Sequence, residues 1–97
     1  MAKGYWVVHL DVADAAGHAQ YQAFVNPFLA ANNGRFVVRG GERTVEEGSA
    51  RGRTVVVEFP SYADAQRVYH SAEYQEGSKA RFAASVSDFV IVEGYEG

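Results

Sequence analysis

Five side chains of this sequence have the chemistry to bind or transform a small molecule: His9, Arg39, Glu58, Tyr74 and Arg81. His9 carries an imidazole that titrates near neutral pH, so it is the candidate general base or anion-binding group. Its alternative role is structural, bonded to a neighbouring strand. Arg39 precedes two glycines, where its guanidinium could receive a substrate carboxylate in fork geometry. Glu58 is predicted on the neighbouring antiparallel strand and on the same side, so a simple cross-strand ion pair with Arg39 is the alternative.

Tyr74 and Arg81 are separated by seven residues, which is two helical turns. Side chains at that spacing face the same way on one helix, so together they could stack on and neutralise a small aromatic acid. The alternative is that Tyr74 belongs to the core and that Arg81 pairs with Asp88 or Glu93. We therefore take Arg39, Glu58, Tyr74 and Arg81 as candidate substrate-binding residues.

Other reactive combinations are weaker. Ser71, His70 and Glu73 suggest a catalytic triad, but no G-x-S-x-G nucleophile elbow surrounds the serine, which is better explained as a helix cap. His9, His18 and His70 lack the short spacing of metal ligands, and His18 is expected to face solvent. The chain contains no cysteine. We therefore predict no metal site, no thiol chemistry and no cofactor.

Composition limits the partners of the chain. Its 97 residues are enough for one domain, and 47% hydrophobic with 22% charged residues is typical of a folded globular protein. The formal net charge is -3, with arginines interleaved among glutamates, so nucleic-acid binding is not expected. We see no amino-terminal signal segment and no apolar run near the roughly 20 residues that a membrane span needs. The default expectation is a cytoplasmic protein with no membrane partner.

The positions of these residues depend on the predicted elements. Strand-like segments are rich in β-branched and aromatic residues, and helical segments carry apolar residues at helical spacing. Asp14 and Ser61 are the predicted N-caps, and Pro27 is expected to kink or divide the first helix. The predicted elements are, in order, a strand at Tyr5–Val12, a helix at Ala15–Ala31, strands at Arg35–Arg39 and Thr54–Phe59, helical segments after Ser61 and at Ala72–Ala84, and a strand at Asp88–Glu93.

The second strand carries an interruption at Gly40 and Gly41, which predicts a bulge or a sharp bend. We expect the strand to resume over residues 42–47 and to turn through residues 48–52, forming a hairpin with a polar tip.

The order of elements predicts an α+β, ferredoxin-like βαββαβ fold with a four-stranded antiparallel sheet and both helical regions on one side. The fully apolar side of the central strands must meet the helices. The opposite side mixes valines with His9, Arg39 and Glu58. An uncovered face this apolar is a poor surface for a monomer, so we predict a homodimer that packs sheet against sheet.

The segments KGYWVVHLDV, GRFVVRGG, RTVVVEFPS, YHSAEYQ and VIVEG, together with Arg81, resemble the DUF1330 family, small bacterial proteins of the dimeric α/β-barrel superfamily. The resemblance covers nearly the whole chain and implies a single domain over residues 1–97, a ferredoxin-like fold and a dimeric α/β barrel. It implies no reaction, because the family has no established function. The wider superfamily includes cofactor-independent monooxygenases, lactone isomerases, dye-decolorising peroxidases and stress-responsive barrel proteins.

Two functional hypotheses follow. The first is a homodimer that binds a small carboxylate or aromatic metabolite, with a cofactor-independent isomerase or oxygenase as its sharper form. The second is a non-catalytic binding or assembly module whose polar face specifies dimerisation.

Overall fold

The structure, a computed structural model, describes residues 2–97. The elements are β1 Gly4–Val12, α1 Ala15–Ala31, β2 Arg35–Arg39, β3 Arg53–Phe59, α2 Tyr62–His70, α3 Ala72–Gly77, α4 Lys79–Ala84 and β4 Ser85–Glu93. The strands form one antiparallel sheet in the order β2-β3-β1-β4. This confirms the predicted α+β, ferredoxin-like arrangement. None of the helices within residues 2–97 is long and apolar enough to cross a membrane.

Helix starts follow the predicted capping residues. The side chain of Asp14 accepts a hydrogen bond from the Gly17 amide, and those of Ser61 and Ser71 accept from the amides of Asp64 and Tyr74. Each cap satisfies a backbone donor that the first helical turn leaves unpaired. These contacts confirm Asp14 and Ser61 as caps and explain Ser71 without a triad.

The first helix runs through Pro27 as one element, so the proline does not divide it. It ends where Asn33 adopts a left-handed conformation, with φ of 62°, and the Gly34 amide bonds to the Leu29 carbonyl. The predicted single helix from Ala72 to Ala84 is instead two short helices that meet at the buried Ser78.

The predicted strand over residues 42–47 is wrong, because residues 41–52 carry no strand. Gly40, with φ of 66°, bends the chain out of the ladder, and its amide donates the last hydrogen bond to the Thr54 carbonyl. The segment beyond it offers one large apolar side chain, Val45, which is exposed. With no apolar face to bury, this segment has little reason to extend the sheet.

A β-bulge in β2 determines the direction of Arg39. Phe36 pairs with Val57 and Val38 pairs with Val56, so Val37 is the extra residue. Because alternation is shifted by one after a bulge, Arg39 pairs with Val55 and joins the helix-facing side of the sheet. The prediction that Arg39 shares a face with Glu58 is therefore wrong.

The core lies between the helices and the sheet around Trp6. Its ring centroid is 4.9 Å from that of Phe59 and 5.0 Å from that of Tyr74, and its indole N–H donates to the Ala65 carbonyl at 2.9 Å. All four residues are essentially inaccessible to solvent. This packing holds α2 and α3 on the sheet and leaves a cleft beside α1.

On the other side of the sheet, no helix formed by residues 2–97 covers the strands. Val86, Val90 and Val92 of β4 are 58%, 56% and 43% exposed, and pairing sets Val90 beside Val7 of β1. We call this side the outer face. In β4, Val90 and Val92 lie on the outer face, while Phe89 and Ile91 face the helices.

Candidate functional site

The cleft lies between α1 and the helix-facing side of the sheet. Its floor consists of two neighbouring rows of side chains. Within each row, the side chains come from residues that pair across adjacent strands. One row is Arg53, Leu10 and Ser87, from β3 through β1 to β4. The next row is Arg39, Val55, Val8 and Phe89, from β2 to β4. From α1 the cleft is covered by His18, Tyr21, Gln22, Val25 and Leu29.

Arg81 lines the deep end of the cleft and is only 2% exposed. One guanidinium nitrogen, Nη1, donates to the Ser87 hydroxyl at 2.5 Å, while Nε and Nη2 are buried with no hydrogen-bond partner among the described residues. The guanidinium carbon lies 4.4 Å from the Phe82 ring centroid and 5.2 Å from that of Phe89. Aromatic faces compensate a buried cation only in part. The Tyr21 and Tyr74 hydroxyls lie near enough to Arg81 to interact with it, but neither meets hydrogen-bond geometry with Nε or Nη2, so both donors and the positive charge stay available to a ligand. The alternative pairing of Arg81 with Asp88 or Glu93 is absent from residues 2–97, since Ser87 is its partner.

A pair of tyrosines lies beside Arg81. The hydroxyls of Tyr21 and Tyr74 share a hydrogen bond of 2.8 Å, and Tyr74 is fully buried. Burial is the main cause that raises the pKa of both phenols, and Arg81 opposes that rise in each. Both side chains therefore remain neutral phenols. Tyr74 belongs to the core, as its alternative interpretation held, and it packs against Trp6 and bonds to Tyr21, both of which line the cleft.

Two further arginines lie at the other end of the floor. Arg39 donates to the side-chain oxygen of Asn26 on α1 at 2.6 Å, and its guanidinium carbon lies 4.0 Å from the Phe36 ring centroid. Arg53 packs against Gly40, and its Nε is buried without a partner in the described chain. The contact between Arg39 and Asn26 bridges β2 and α1 across the cleft.

His18 also lines the cleft, contrary to the prediction that it faces solvent. It is half-buried, its Nδ1 is buried with no partner among residues 2–97, and its ring centroid lies 6.0 Å from that of Tyr21. Burial lowers the pKa of His18, and Arg53, Arg39 and Arg81 lower it further. All three cations therefore act on the same imidazole.

The cleft is cationic but otherwise apolar. Among the described residues no aspartate or glutamate lines it, and none of its three arginines forms an ion pair there. Its internal cavity is about 40 Å³, room for a few water molecules, whereas the whole space including the open mouth is about 470 Å³. Within residues 2–97 no three acidic or histidine side chains converge to hold a metal ion.

His9 and Glu58, two of the five candidates, lie on the outer face instead. His9 Nδ1 shares a hydrogen bond of 3.0 Å with the Thr54 hydroxyl. Glu58 accepts from the Tyr5 hydroxyl at 3.0 Å and from Arg35 Nε at 3.1 Å. The hydrogen bond from Tyr5 is the main cause that lowers the pKa of Glu58, and Arg35 adds to it. The structure therefore brings Arg39, Arg81 and, indirectly, Tyr74 together, and separates them from His9 and Glu58 by the thickness of the sheet.

Sequence reasoning missed His18, Tyr21 and Arg53 as site residues. A signal existed for two of them. His18 lies three residues before Tyr21 and seven before Val25, so it extends the apolar stripe of α1 by one turn. Arg53 lies two residues before Val55, so strand alternation carries it to the same side.

Comparison with solved structures identifies several chains of the same fold. A protein of unknown function from Rhodopseudomonas palustris is 17% identical, with a TM-score of 0.78 over 99% of this chain and 85% of that chain. SnoaB, a cofactor-independent oxygenase from Streptomyces nogalater, is 17% identical, with a TM-score of 0.66 over 100% of this chain and 97% of that chain. A dabb family protein with a ferredoxin-like fold from Mesorhizobium loti is 10% identical, with a TM-score of 0.62 over 100% and 99%. Identities this low show a shared fold alone.

No curated protein matches the chain. The family model for the domain of unknown function DUF1330, by contrast, matches residues 3–95, which is nearly the full length. The chain therefore belongs to the DUF1330 family, as its sequence segments predicted.

Proposed function

We propose that this protein binds a small carboxylate or aromatic metabolite in the cleft, with the anionic group of the ligand paired to Arg81. This proposal rests on Arg81, a residue that is only 2% exposed and whose guanidinium has two buried nitrogens without a hydrogen-bond partner among residues 2–97. A buried charge without a counter-charge costs several kcal/mol. A ligand anion would offset that cost and satisfy both donors in fork geometry.

The walls of the cleft suit an apolar ligand body. Val8, Leu10, Val55 and Phe89 form the floor between the cationic groups. The internal cavity is too small for a ring in its present form. Entry therefore requires movement at the mouth, where the exposed Arg39 side chain reaches to Asn26.

A cofactor-independent isomerase or oxygenase is the sharper form of this proposal. SnoaB, which shares the fold, is described as a cofactor-independent oxygenase. An isomerase that moves a proton needs a group able to accept one near neutral pH. Of the cleft side chains, the neutral phenol and the three arginines do not serve, whereas His18 has an available ring nitrogen. His18 therefore replaces His9 as the proposed base for a substrate in the cleft.

Binding of benzoate and phenylacetate, measured by calorimetry and by thermal shift, tests the site. We expect Arg81→Met to weaken binding at least about thirtyfold, because removing one member of a buried charge pair costs about 2–5 kcal/mol. Arg35→Met is the matched control, since Arg35 is exposed on the outer face and paired with Glu58. If neither ligand bound the wild-type protein, or if Arg81→Met bound as tightly as Arg35→Met, the proposed site would be wrong.

We further propose that two copies pair through the outer face, as the homodimer expected from sequence would. Val90 and Val92 would be covered by such a contact, and a contiguous apolar surface of this kind is typical of an interface. A monomeric mass by sedimentation equilibrium at micromolar concentration would overturn this pairing.

A second function, a non-catalytic assembly module, is favoured by one observation. Glu58 bridges Tyr5 and Arg35 on the outer face, and His9 bonds to Thr54 there, so these polar groups face the proposed partner and not the cleft. In that case Glu58→Ala would change the dimer dissociation constant, and no carboxylate would bind the cleft.

A further inference from the structure

We infer that the natural ligand of the cleft carries two acidic groups at opposite ends of an apolar body. This inference rests on the proposed function, since it concerns the same cleft, and it adds the charge and the shape of the ligand. Its basis is the position of the three arginines along the floor, which lie at both ends and not in one cluster.

The first end of the floor is the β4 end. Ser87, the last residue of one floor row, holds Nη1 of Arg81 at 2.5 Å. The remaining two unpartnered nitrogens of this buried guanidinium provide a fork for one carboxylate or phosphate group. Phe89, which ends the second row, adds an aromatic wall beside it.

The second end is formed by β2 and β3. Arg53 begins the first row and Arg39 begins the second. Asn26, the hydrogen-bond partner of Arg39, is neutral, and Arg53 Nε has no partner among the described residues. Both cations are therefore free to meet a second anionic group without breaking an ion pair.

The distance between the two ends follows from the sheet. Arg53 and Ser87 flank Leu10 in register, one strand to each side, so their backbones lie about 10 Å apart at the usual strand spacing of about 4.8 Å. The Arg53 guanidinium packs against Gly40 just beyond β2, and Nη1 of Arg81 bonds to Ser87 on β4, so the two cations lie at opposite ends of this span. Leu10 and Val8 lie between them and offer no polar atom from their side chains. This spacing fits a ring or a short rigid chain with an acidic group at each end.

Of the four arginines outside the cleft, three pair with a carboxylate, and the exposed Arg43 bonds instead to the Thr54 hydroxyl and the Arg51 carbonyl. The three that pair are Arg35, Arg51 and Arg67, each within 3.3 Å of its carboxylate. The chain carries more acidic than basic residues, 12 against 9, so carboxylates are not scarce. The sequence therefore has enough acidic residues to pair with the cleft arginines, but the fold places none of them in the cleft.

Three aromatic acids test the inference by calorimetry on the full chain. Terephthalate has two carboxylates in para positions, monomethyl terephthalate keeps the size but loses one charge, and phthalate keeps both charges in ortho positions. We expect terephthalate to bind about tenfold or more tightly than either of the others, since a charge-assisted hydrogen bond at the second end is worth about that factor.

Two variants assign the preference to the second end. Arg53→Gln combined with Arg39→Gln should remove the preference for terephthalate while the affinity for the monomethyl ester stays within about threefold. Arg35→Gln with Arg43→Gln removes the same number of charges outside the cleft and should leave the preference intact. Both double variants are checked for wild-type circular dichroism before titration.

The outcomes separate the two proposals. If the ester and the diacid bind equally, or if the preference survives in the Arg39 and Arg53 double variant, the diacid inference is overturned while the cleft remains a carboxylate site. If none of the three acids binds the wild-type protein, the proposed carboxylate site fails, and the inference that rests on it fails too.

Discussion

The charged side chains on the two sides of the sheet differ in whether they are paired with an opposite charge. On the outer face Glu58 is bonded to Tyr5 and Arg35, and Arg51 in the neighbouring loop pairs with Asp11 and Asp88. In the cleft, Arg81 is more deeply buried than any of these, yet it has no carboxylate within the described chain.

This contrast separates charged groups that are already paired within the fold from charged groups that could bind a ligand. Exposed ion pairs contribute little and depend on no ligand. A buried cation without a counter-ion weakens the folded state, and proteins keep such groups mainly where they bind or catalyse. The cleft, and not the larger number of charges on the outer face, is therefore the place to look for a ligand.

The largest expected effect concerns the use of the outer face. Val90→Glu introduces a charge in the middle of the exposed valines, so we expect it to dissociate the proposed dimer into folded monomers, measured by sedimentation equilibrium with circular dichroism. Val45→Glu is the control, because Val45 is also exposed, 45% against 56% for Val90, but lies in the loop over residues 41–52. A Val90→Glu protein that stays dimeric would show that the outer face is not the interface.

The next effect tests the uncompensated charge in the cleft. Replacing a buried ionic group by an apolar one of similar volume is often neutral or stabilising by about 1–4 kcal/mol. We therefore expect Arg81→Met, without ligand, to unfold in urea at the same or a higher midpoint than the wild type. Strong destabilisation would mean that Arg81 is a structural group, and the contrast between the two faces would not hold.

A smaller effect is expected on the pH dependence of stability and of carboxylate binding, through the pKa of His18. That pKa is lowered in the folded protein, so below about pH 6.5 the unfolded chain takes up the proton first. The contribution of His18 to the free energy of unfolding is at its maximum above about pH 6.5, and it declines as the pH falls toward the lowered pKa of the folded state. A bound anion would weaken the field of the arginines and raise the pKa of His18 again, so carboxylate affinity should increase as the pH falls through that raised pKa.

Calorimetry in buffers of different ionisation enthalpy measures this linkage. We expect proton uptake on benzoate binding in the wild type and none in His18→Gln, with His70→Gln as a control because His70 is exposed and does not line the cleft. Equal proton uptake in wild type and His18→Gln would remove His18 from the site.

The smallest effect is expected for Glu58→Gln. The pKa of Glu58 is held low, first by the Tyr5 hydrogen bond and then by Arg35. Its contribution to stability is therefore present above the ordinary carboxyl pKa and is lost as the pH falls through the lowered value. Urea midpoints of wild type and variant should differ slightly at pH 7 and converge in acid, and the affinity for benzoate should not change. A loss of benzoate affinity would contradict the assignment of Glu58 to the outer face.

Much of the fold could be predicted because its determinants are local. Asp14, Ser61 and Ser71 cap their helices through contacts three residues away, and period-two alternation identifies the buried side of β1. The membership of the site could be predicted less well from such local patterns. Alternation counted through β2 places Arg39 beside Glu58, and nothing at Val37 itself marks it as the residue that bulges.

The sequence by itself determined the order of elements, the family, the single apolar core and the residue types available for binding. Only the tertiary structure decided which of those residues meet. One extra residue in β2 turns Arg39 toward α1, and the packing of α1 on the sheet brings His18 and Tyr21 over the row from Arg53 to Ser87. The physical reason is the sequence distance over which each interaction acts. Caps and alternation act within a few residues, whereas the set of side chains that line a cleft depends on contacts between residues more than 50 positions apart, such as Tyr21 and Tyr74.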